Sequence, residues 1–397
     1  MFALVILLAI APTTSIHITG NTRTRESTVL ELLPRQPPTV YSDAELAELE
    51  RRIDNLEIFD SVHVERSGET VEIAVREKWT LLPSVEFSSG RTFADTYALV
   101  GLTEYNLLGR ADTLGTSVFH ADRGYGLEVY YLEHAFQRNR WTFDGYVDLA
   151  ESELRFDDGS GWKVRSAETK AETTSPSSFS DDFSISLGAT YTHEAIYDAH
   201  GEAPPDSDSI RGFAGVTFNR YHWKDLVPSG VKASLELGAG VLVGTRPTQP
   251  RHSVELNVIG ALELAKYTVL MARLRGDARS PGNPDFSALV GSQRGVRGLE
   301  DSLYRNWAQI FTNVELRQAI PLSERWALQA VVFADGAVFQ QMDASGARGD
   351  RGDALSVGAG TRVVPTWLAT IVARVDVARL ISPSQLWFVQ FGLNQYF

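Results

Sequence analysis

Arg297, within Val290-Gly-Ser-Gln-Arg-Gly-Val-Arg-Gly-Leu299, is the residue of this chain with the clearest capacity for specific polar chemistry. A guanidinium offers its donors in a rigid fork that fits a carboxylate through two parallel hydrogen bonds. Turned into a confined, poorly hydrated space, it must find such a partner, because an unpaired charge there is costly. The stretch lies between two segments of alternating side chains, and the alternation of a later segment selects the partner. Asp335 shares a face with Arg325 and Gln329, opposite Trp326, Leu328, Ala330 and Val332. If that polar face lines an interior, Arg297 and Asp335 form a charge-assisted pair that fixes the loop inside. Arg273, Arg275, Glu315, Arg317, Arg374 and Asp376 share the polar side of their own segments and are alternative partners. The plainer alternative is a pair that braces the structure and moves in no functional cycle.

Other chemistries find little support. The chain has no cysteine, which excludes disulfides and thiolate metal sites. His193-Glu194 with His200 lacks the spacing of a zinc-binding helix. There is no G-x-S-x-G elbow, and His120 and His134 have no evident serine partner. A glycine-rich phosphate loop is also missing, so no enzyme activity, cofactor or metal is expected. Arg348-Gly-Asp-Arg-Gly-Asp353 holds two Arg-Gly-Asp tripeptides, which chance and a polar loop account for. A formal charge of −13 without a basic stripe speaks against nucleic acid.

The elements that must position Arg297 fall into two parts with different periods. Residues 1–15 open with an apolar run, Phe2 to Ile10, too short to span a bilayer as a helix and read as a signal peptide without the usual basic start. A buried N-terminal strand is the alternative. Residues 16–79 mix periods. Ile16 to Asn21 alternates, and Thr24 to Leu33 reads as a short helix closed by Pro34. Ser42-Asp-Ala-Glu45 is a capping box opening a helix with Leu46, Leu49, Ile53 and Leu56 on one face. Ser61 to Arg66 and Thr70 to Arg76 form a hairpin around Ser67-Gly68. The order β-α-α-β-β makes a small α+β domain. Val71, Ile73 and Val75 mark the strand expected to offer an open sheet edge to a guest strand.

From residue 80 to 397 helical periodicity disappears. About sixteen segments of roughly nine to fourteen residues alternate, as in Val231 to Val241 and Trp141 to Leu149. A soluble β-sandwich would also alternate. A transmembrane antiparallel barrel also needs an even strand number, aromatic girdles and connections of unequal length. Ala319 to Glu324 and Pro365 to Leu368 read as short connections. Glu194 to Ser209, Arg279 to Arg305 and Gln340 to Asp353 read as long ones. Tyr97, Trp141, Trp307, Trp326, Trp387 and Tyr396 stand near segment ends, as an interfacial belt requires. Glu151 to Asp182 is long and polar and fits the pattern least. The mainly β reading is therefore one small α+β domain before a barrel of about sixteen strands.

This arrangement resembles the outer-membrane-protein-85 superfamily, the bacterial surface-antigen or BamA/TamA type, with a single POTRA domain before the barrel. Leu56 to Val64, with Phe59 and Val62 at packing positions, resembles the helix-to-strand segment of a POTRA domain. Asn106-Leu-Leu-Gly-Arg-Ala-Asp-Thr-Leu114 is similar to the family's turn between its second and third strands. Val331 to Val338 resembles an F-x-D-x-G strand motif through Phe333, Asp335 and Gly336, although Ala337 stands where the motif's glycine would fall. Val296-Arg-Gly-Leu299 resembles the V-R-G-F/Y loop tip, with Leu299 in place of the aromatic residue. By count this loop joins strands eleven and twelve.

The resemblance implies a barrel in the bacterial outer membrane with its POTRA domain in the periplasm. The POTRA domain would capture unfolded polypeptide or β-strand clients. The loop around 279–305 would fold into the lumen, with Arg297, Gly298 and Asp335 as its latch. The implied function is insertion or translocation of polypeptides. The alternative is a passive pore or structural barrel without client handling. Phe391, Tyr396 and Phe397 resemble the terminal signal read by outer-membrane assembly machinery, which makes that machinery, with outer-membrane lipid, an expected partner.

Overall fold

The structure, a computed structural model, describes the chain except residues 1–14, 90–91, 122, 137–140, 157–158, 177–181, 202, 225, 245–248, 283–287, 292–294, 300–303, 366–371 and 394–397. The expected leader, apart from Ser15, and the terminal Tyr396 and Phe397 lie outside the described residues. The chain groups into two compact units. One comprises Met1–Leu81, Glu104–Thr113 and Trp367–Thr370. The other comprises Leu82–Thr103, Leu114–Thr366 and Ile371–Phe397.

The first unit holds β1 (Ser15–Thr19), α1 (Glu26–Leu30), α2 (Asp43–Asp54), β2 (Phe59–Ser67) and β3 (Thr70–Glu77). The helix expected over Thr24 to Leu33 is shorter than its pattern. Arg25 gives it no side-chain cap, and Pro34 disfavours helical geometry at Leu33. α2 starts on a complete capping box. The Ser42 hydroxyl accepts from the Glu45 N–H, and the Glu45 carboxylate accepts from the Ser42 N–H. Its inner face buries Leu46, Leu49 and Ile53 against Ile58, Phe59, Val71 and Ile73.

The sheet order is β1-β3-β2, with β1 parallel and β2 antiparallel to β3. The expectation of an open edge at Val71, Ile73 and Val75 is therefore wrong. β3 is the central strand, its backbone is paired on both sides, and these three side chains are buried in the core. The edges are β1 and β2. On β2 the Val64 N–H points away from β3 and donates to the Glu50 carboxylate of α2 at 2.9 Å. At the end of β3, Glu77 accepts from the Thr22 hydroxyl and from the backbone N–H of Arg23 and Thr24. Burial pushes its carboxyl up, but the donors of Thr22, Thr24 and Arg23 outweigh burial and hold it below its usual 4.5.

The second part is a closed antiparallel barrel. Its strands 1 to 4 are Leu81–Ser88, Tyr97–Leu107, Asp112–Ala121 and Gly124–Phe136. Strands 5 to 8 are Trp141–Arg155, Gly161–Pro176, Phe183–His200 and Ser207–Asn219. Strands 9 to 12 are Val227–Val243, Gln249–Ala265, Thr268–Arg279 and Arg305–Pro321. Strands 13 to 16 are Trp326–Met342, Arg348–Pro365, Ala373–Ser382 and Trp387–Gly392. Strand 16 closes the ring on strand 1 through Gln390↔Ser88, Phe391↔Phe87 and Gly392↔Glu86. Two short pieces, His222–Lys224 and Ala288–Leu289, lie alongside pairings that pass directly between their neighbours. Closure satisfies every sheet edge, which is what a strand-built membrane span requires.

Burial follows strand parity. In strand 13, Gln329, Val331, Phe333, Asp335, Ala337 and Phe339 are buried in the lumen, while Val332 and Val338 are exposed outward. Trp141, Trp326 and Trp387 are exposed at the first positions of strands 5, 13 and 16. The polar region Glu151 to Asp182 is mostly strand. Ser166, Glu168, Lys170 and Glu172 take positions facing Ala150, Asp148, Tyr146 and Asp144 of strand 5. The other face of strand 6 carries Ala167, Thr169, Ala171 and Thr173 instead of large apolar residues, which masks the alternation. Two expected long loops are also shorter. Strands 7 and 8 reach His200 and Ser207, and the Arg-Gly-Asp repeat begins strand 14. The long connection is the one between strands 11 and 12.

Candidate functional site

The connection from strand 11 to strand 12 turns inward, and Ala288–Leu289 pairs with Asn306 and Arg305. Beyond it the chain folds tightly on itself. Gly295 and Val296 donate their N–H groups to the Gly291 carbonyl at 2.7 and 3.0 Å. Leu299 N–H closes a turn on the Val296 carbonyl at 3.1 Å, with Gly298 at φ +88°. A glycine in the third position of such a turn fits the type II geometry, which requires positive φ there. A Cβ on Gly298 would also stand 3.1 Å from the Phe388 ring. This turn puts Arg297 at a corner, with its side chain free to reach the barrel wall.

Arg297 is fully buried there. Its Nε and Nη2 donate to the two oxygens of Asp335 at 2.7 and 2.8 Å, and its own backbone N–H adds a third bond at 3.1 Å. Nη1 donates to Glu315 at 2.5 Å and lies 3.5 Å from Asp376. The guanidinium carbon sits 3.4 Å from the Phe333 ring centroid, a stacked cation–π contact. Asn313, which faces Asp335 across strands 12 and 13, donates to Asp335 and to the Gly295 carbonyl. One amide therefore ties the wall to the loop.

The pair belongs to a larger buried network. Arg317 donates to the second oxygen of Glu315 at 2.6 Å. Arg362 donates to both oxygens of Asp376, at 2.6 and 3.2 Å, and Arg374 approaches Asp376 at 3.5 Å. Arg297, Arg317, Arg362, Glu315, Asp335 and Asp376 are all 0% exposed. Burying that many charges costs several kcal/mol per ion, which only close geometry and shared hydrogen bonds offset. Two glycines of strand 14 make the space. A Cβ on Gly358 would meet the Phe333 ring at 2.3 Å, and one on Gly360 would meet the Asp376 carboxylate at 1.9 Å.

Beside the polar network, Val290, Val296 and Leu299 of the loop pack against Phe311, Phe339, Leu380 and Phe388 of the wall. Full burial of such side chains contributes about 1.5–3 kcal/mol each. Leu299 fills its place with an aliphatic side chain. The loop is thus seated by a polar fastening and an apolar one together. The groups in contact are acceptors, guanidiniums and amides, an arrangement that can hold a segment in place. Among the described residues no group of three or more His, Asp or Glu is placed to hold a metal ion.

The residues singled out by sequence distribute as follows. Arg297, Gly298 and Asp335 come together, with Val296, Leu299 and Phe333 in contact around them. Gly336 does not join them. A Cβ there would meet nothing closer than 3.9 Å, and Ala337 is the buried neighbour. Glu315, Arg317, Arg374 and Asp376 enter the network. Arg273 touches it through Asn313, Arg275 pairs with Asp277 and Glu255, and Arg325 is exposed. Phe391 sits in strand 16 opposite Val375 and Phe87. Sequence reasoning missed Asn313 and Arg362. Parity with Glu315 and Arg317, and with Ser356, Gly358 and Gly360, is the signal that marks them.

Residues 12–78 match the POTRA family, surface antigen variable number repeat. Over 211 residues the chain is 29% identical to "Outer membrane protein assembly factor BamA" of Neorickettsia risticii (strain Illinois). That match covers 51% of this chain and 27% of the relative, so the chain spans about a quarter of that protein. Among solved structures, BamA from Haemophilus ducreyi lacking POTRA domains 1–3 aligns at TM-score 0.57 and 15% identity, covering 96% of this chain and 83% of that one. CdiB from Acinetobacter baumannii aligns at TM-score 0.64 and 13% identity, over 96% and 73% of the two chains. CdiB from Escherichia coli aligns at 0.65 and 12%, over 97% and 76%. At these identities the structural matches establish a shared fold.

Proposed function

We propose that this chain, assigned to the outer-membrane-protein-85 superfamily by its POTRA match, its BamA relative and its barrel fold, inserts or translocates polypeptides at the bacterial outer membrane. It is an outer-membrane barrel whose POTRA domain faces the periplasm. The observation that carries the proposal is the loop between strands 11 and 12, seated in the lumen by Arg297 on Asp335 and Glu315. A fastened interior loop narrows the lumen, as a barrel that handles polypeptides requires in order to limit leakage between clients. Clients would meet the POTRA domain as extended strands adding to a sheet edge. β3 is enclosed, which leaves β1 and β2 as the edges, and of these we take β2 as the docking strand.

The test reconstitutes the full chain in liposomes and adds urea-unfolded outer-membrane barrel protein or a secreted passenger. Acquisition of a heat-stable gel mobility, or of protease protection, should be faster than with empty liposomes and should fall in Arg297→Ala. Photo-crosslinkers at Ser61 and His63 on β2 should capture the client. Equal rates with and without the protein, and no crosslinked polypeptide, would leave the passive barrel as the reading.

A further inference from the structure

Strands 15 and 16 meet in a short hairpin at the outer side of the membrane. Strand 1 rises from the periplasmic POTRA domain, so odd-numbered strands climb and even-numbered ones descend. The Leu380 N–H closes this hairpin on the Leu386 carbonyl at 2.9 Å. Just below it, Arg379 faces Trp387 in the topmost pair of the two strands. Register sets the side of the sheet. Arg379 stands opposite Val357 of strand 14 and Trp387 of strand 16, both exposed, while its neighbours Ala378 and Leu380 are buried. The guanidinium is therefore on the lipid-facing wall, at the outer end of the apolar band.

Its surroundings on that wall are apolar. Val357, Val377, Ile381 and Val389 are exposed around it. Trp387 is 66% exposed, and its ring centroid lies 5.6 Å from the guanidinium carbon. Among the described residues the polar partner of Arg379 is the neutral amide of Gln385, through a long hydrogen bond of 3.4 Å. From Val377 to Val389 the sequence has no acid. Higher on strand 14, Arg348 and Arg351 alternate with Asp350 and Asp353, which balances the charge there. The Asp353 carboxylate accepts from the Ser382 hydroxyl at 2.8 Å. A cation on the lipid face is unfavourable to a degree that grows with its depth. A guanidinium at the headgroup level can instead hold a phosphate through two parallel hydrogen bonds. The indole beside it offers a large apolar face to a sugar ring.

We infer that Arg379 and Trp387 form a binding site for the phosphorylated sugar headgroup of an outer-leaflet glycolipid. Arg379 takes the phosphate, Trp387 lies against the sugar, and Val377 and Val389 below them meet the acyl chains. A glycerophospholipid would satisfy the guanidinium but leave the indole without a ring to cover. The site is on the outer wall and makes no use of the lumen loop, so it stands or falls apart from polypeptide handling.

The experiment is native mass spectrometry of the full-length protein in detergent, titrated with lipid A, dephosphorylated lipid A or phosphatidylglycerol. The wild type should bind lipid A about tenfold more tightly, or better, than either comparison lipid. Arg379→Gln should weaken lipid A binding by about tenfold or more and leave the dephosphorylated form unchanged. Trp387→Ala should reduce the preference for lipid A over phosphatidylglycerol. Heat-modifiable gel mobility shows that each variant is folded. If Arg379→Gln does not fold, Arg379→Lys is read instead; it keeps the charge without the fork and must also bind lipid A more weakly. Equal lipid A binding by the wild type and the folded Arg379 variant overturns the inference. So does phosphatidylglycerol bound as tightly as lipid A, or a folded Trp387→Ala protein with its preference unchanged.

Discussion

Removing the Arg297 side chain tests whether the polar fastening holds the loop. In Arg297→Ala, Asp335 loses two of its donors, Nε and Nη2, and keeps the residue-297 backbone N–H and Asn313. Glu315 loses its 2.5 Å partner and keeps Arg317. Leaving one side of a buried charge pair unmatched costs about 3–5 kcal/mol. The apolar contacts of Val290, Val296 and Leu299 contribute roughly 5–9 kcal/mol at most, from about 1.5–3 kcal/mol per side chain. The penalty is a large fraction of that sum, so the seated loop should open far more often without being lost altogether. At about 1.4 kcal/mol per tenfold, the opening equilibrium should rise by roughly two to more than three orders of magnitude. The chain has no cysteine, so Val290→Cys gives a unique thiol at a fully buried position. Its maleimide labelling rate in liposomes, followed by mass spectrometry, reports opening directly. Adding Asp335→Asn to Arg297→Ala should recover part of the protection, because removing both partners costs less than removing one. Equal labelling rates for the Val290→Cys protein with and without Arg297 would refute the reasoning and assign the seating to apolar packing alone.

Three further outcomes follow from the same structure. Gly298→Ala forces a side chain into positive φ, at about 1–2 kcal/mol, and towards Phe388; the same thiol should label roughly tenfold faster. Gly360→Ala places a methyl group on the Asp376 carboxylate and should lower the temperature at which the barrel loses its folded gel mobility, more than Gly260→Ala, which meets open space. Because the folded Glu77 carboxyl lies below its usual 4.5, its stabilising effect is complete above that value and is lost as pH falls through the folded pKa. The hydrogen-exchange protection factor over residues 15–80, corrected for the intrinsic rate at each pH, should therefore fall in acid, and Glu77→Gln should reduce that dependence.

Strand parity made much of the barrel legible, because each side chain must face either lipid or lumen. It selected Asp335 and Gln329 as inward and Val332 as outward from local order alone. It failed on strand 6, where Ala167, Thr169, Ala171 and Thr173 give the outer face too little apolar contrast. Parity also reports which face of a strand is buried and says nothing about its neighbours in the sheet. Val71, Ile73 and Val75 therefore looked like an edge, although Ser15 to Thr19, more than fifty residues earlier, covers that side. The same holds for the charge network. Alternation marks Arg317, Arg374 and Asp376 as inward, but barrel closure and register decide that they converge around Arg297.

The hydrogen bond from Val64 to Glu50 changes what an edge strand means here. An extended segment adding to β2 must displace a carboxylate already bound to that amide, a charge-assisted bond of about 1.5–3 kcal/mol. The guard makes docking weaker by roughly ten- to a hundredfold at this point. It also protects against edge-to-edge association between copies, as edge charges do generally. On the proposed reading, a strand docking here would be held briefly and released readily.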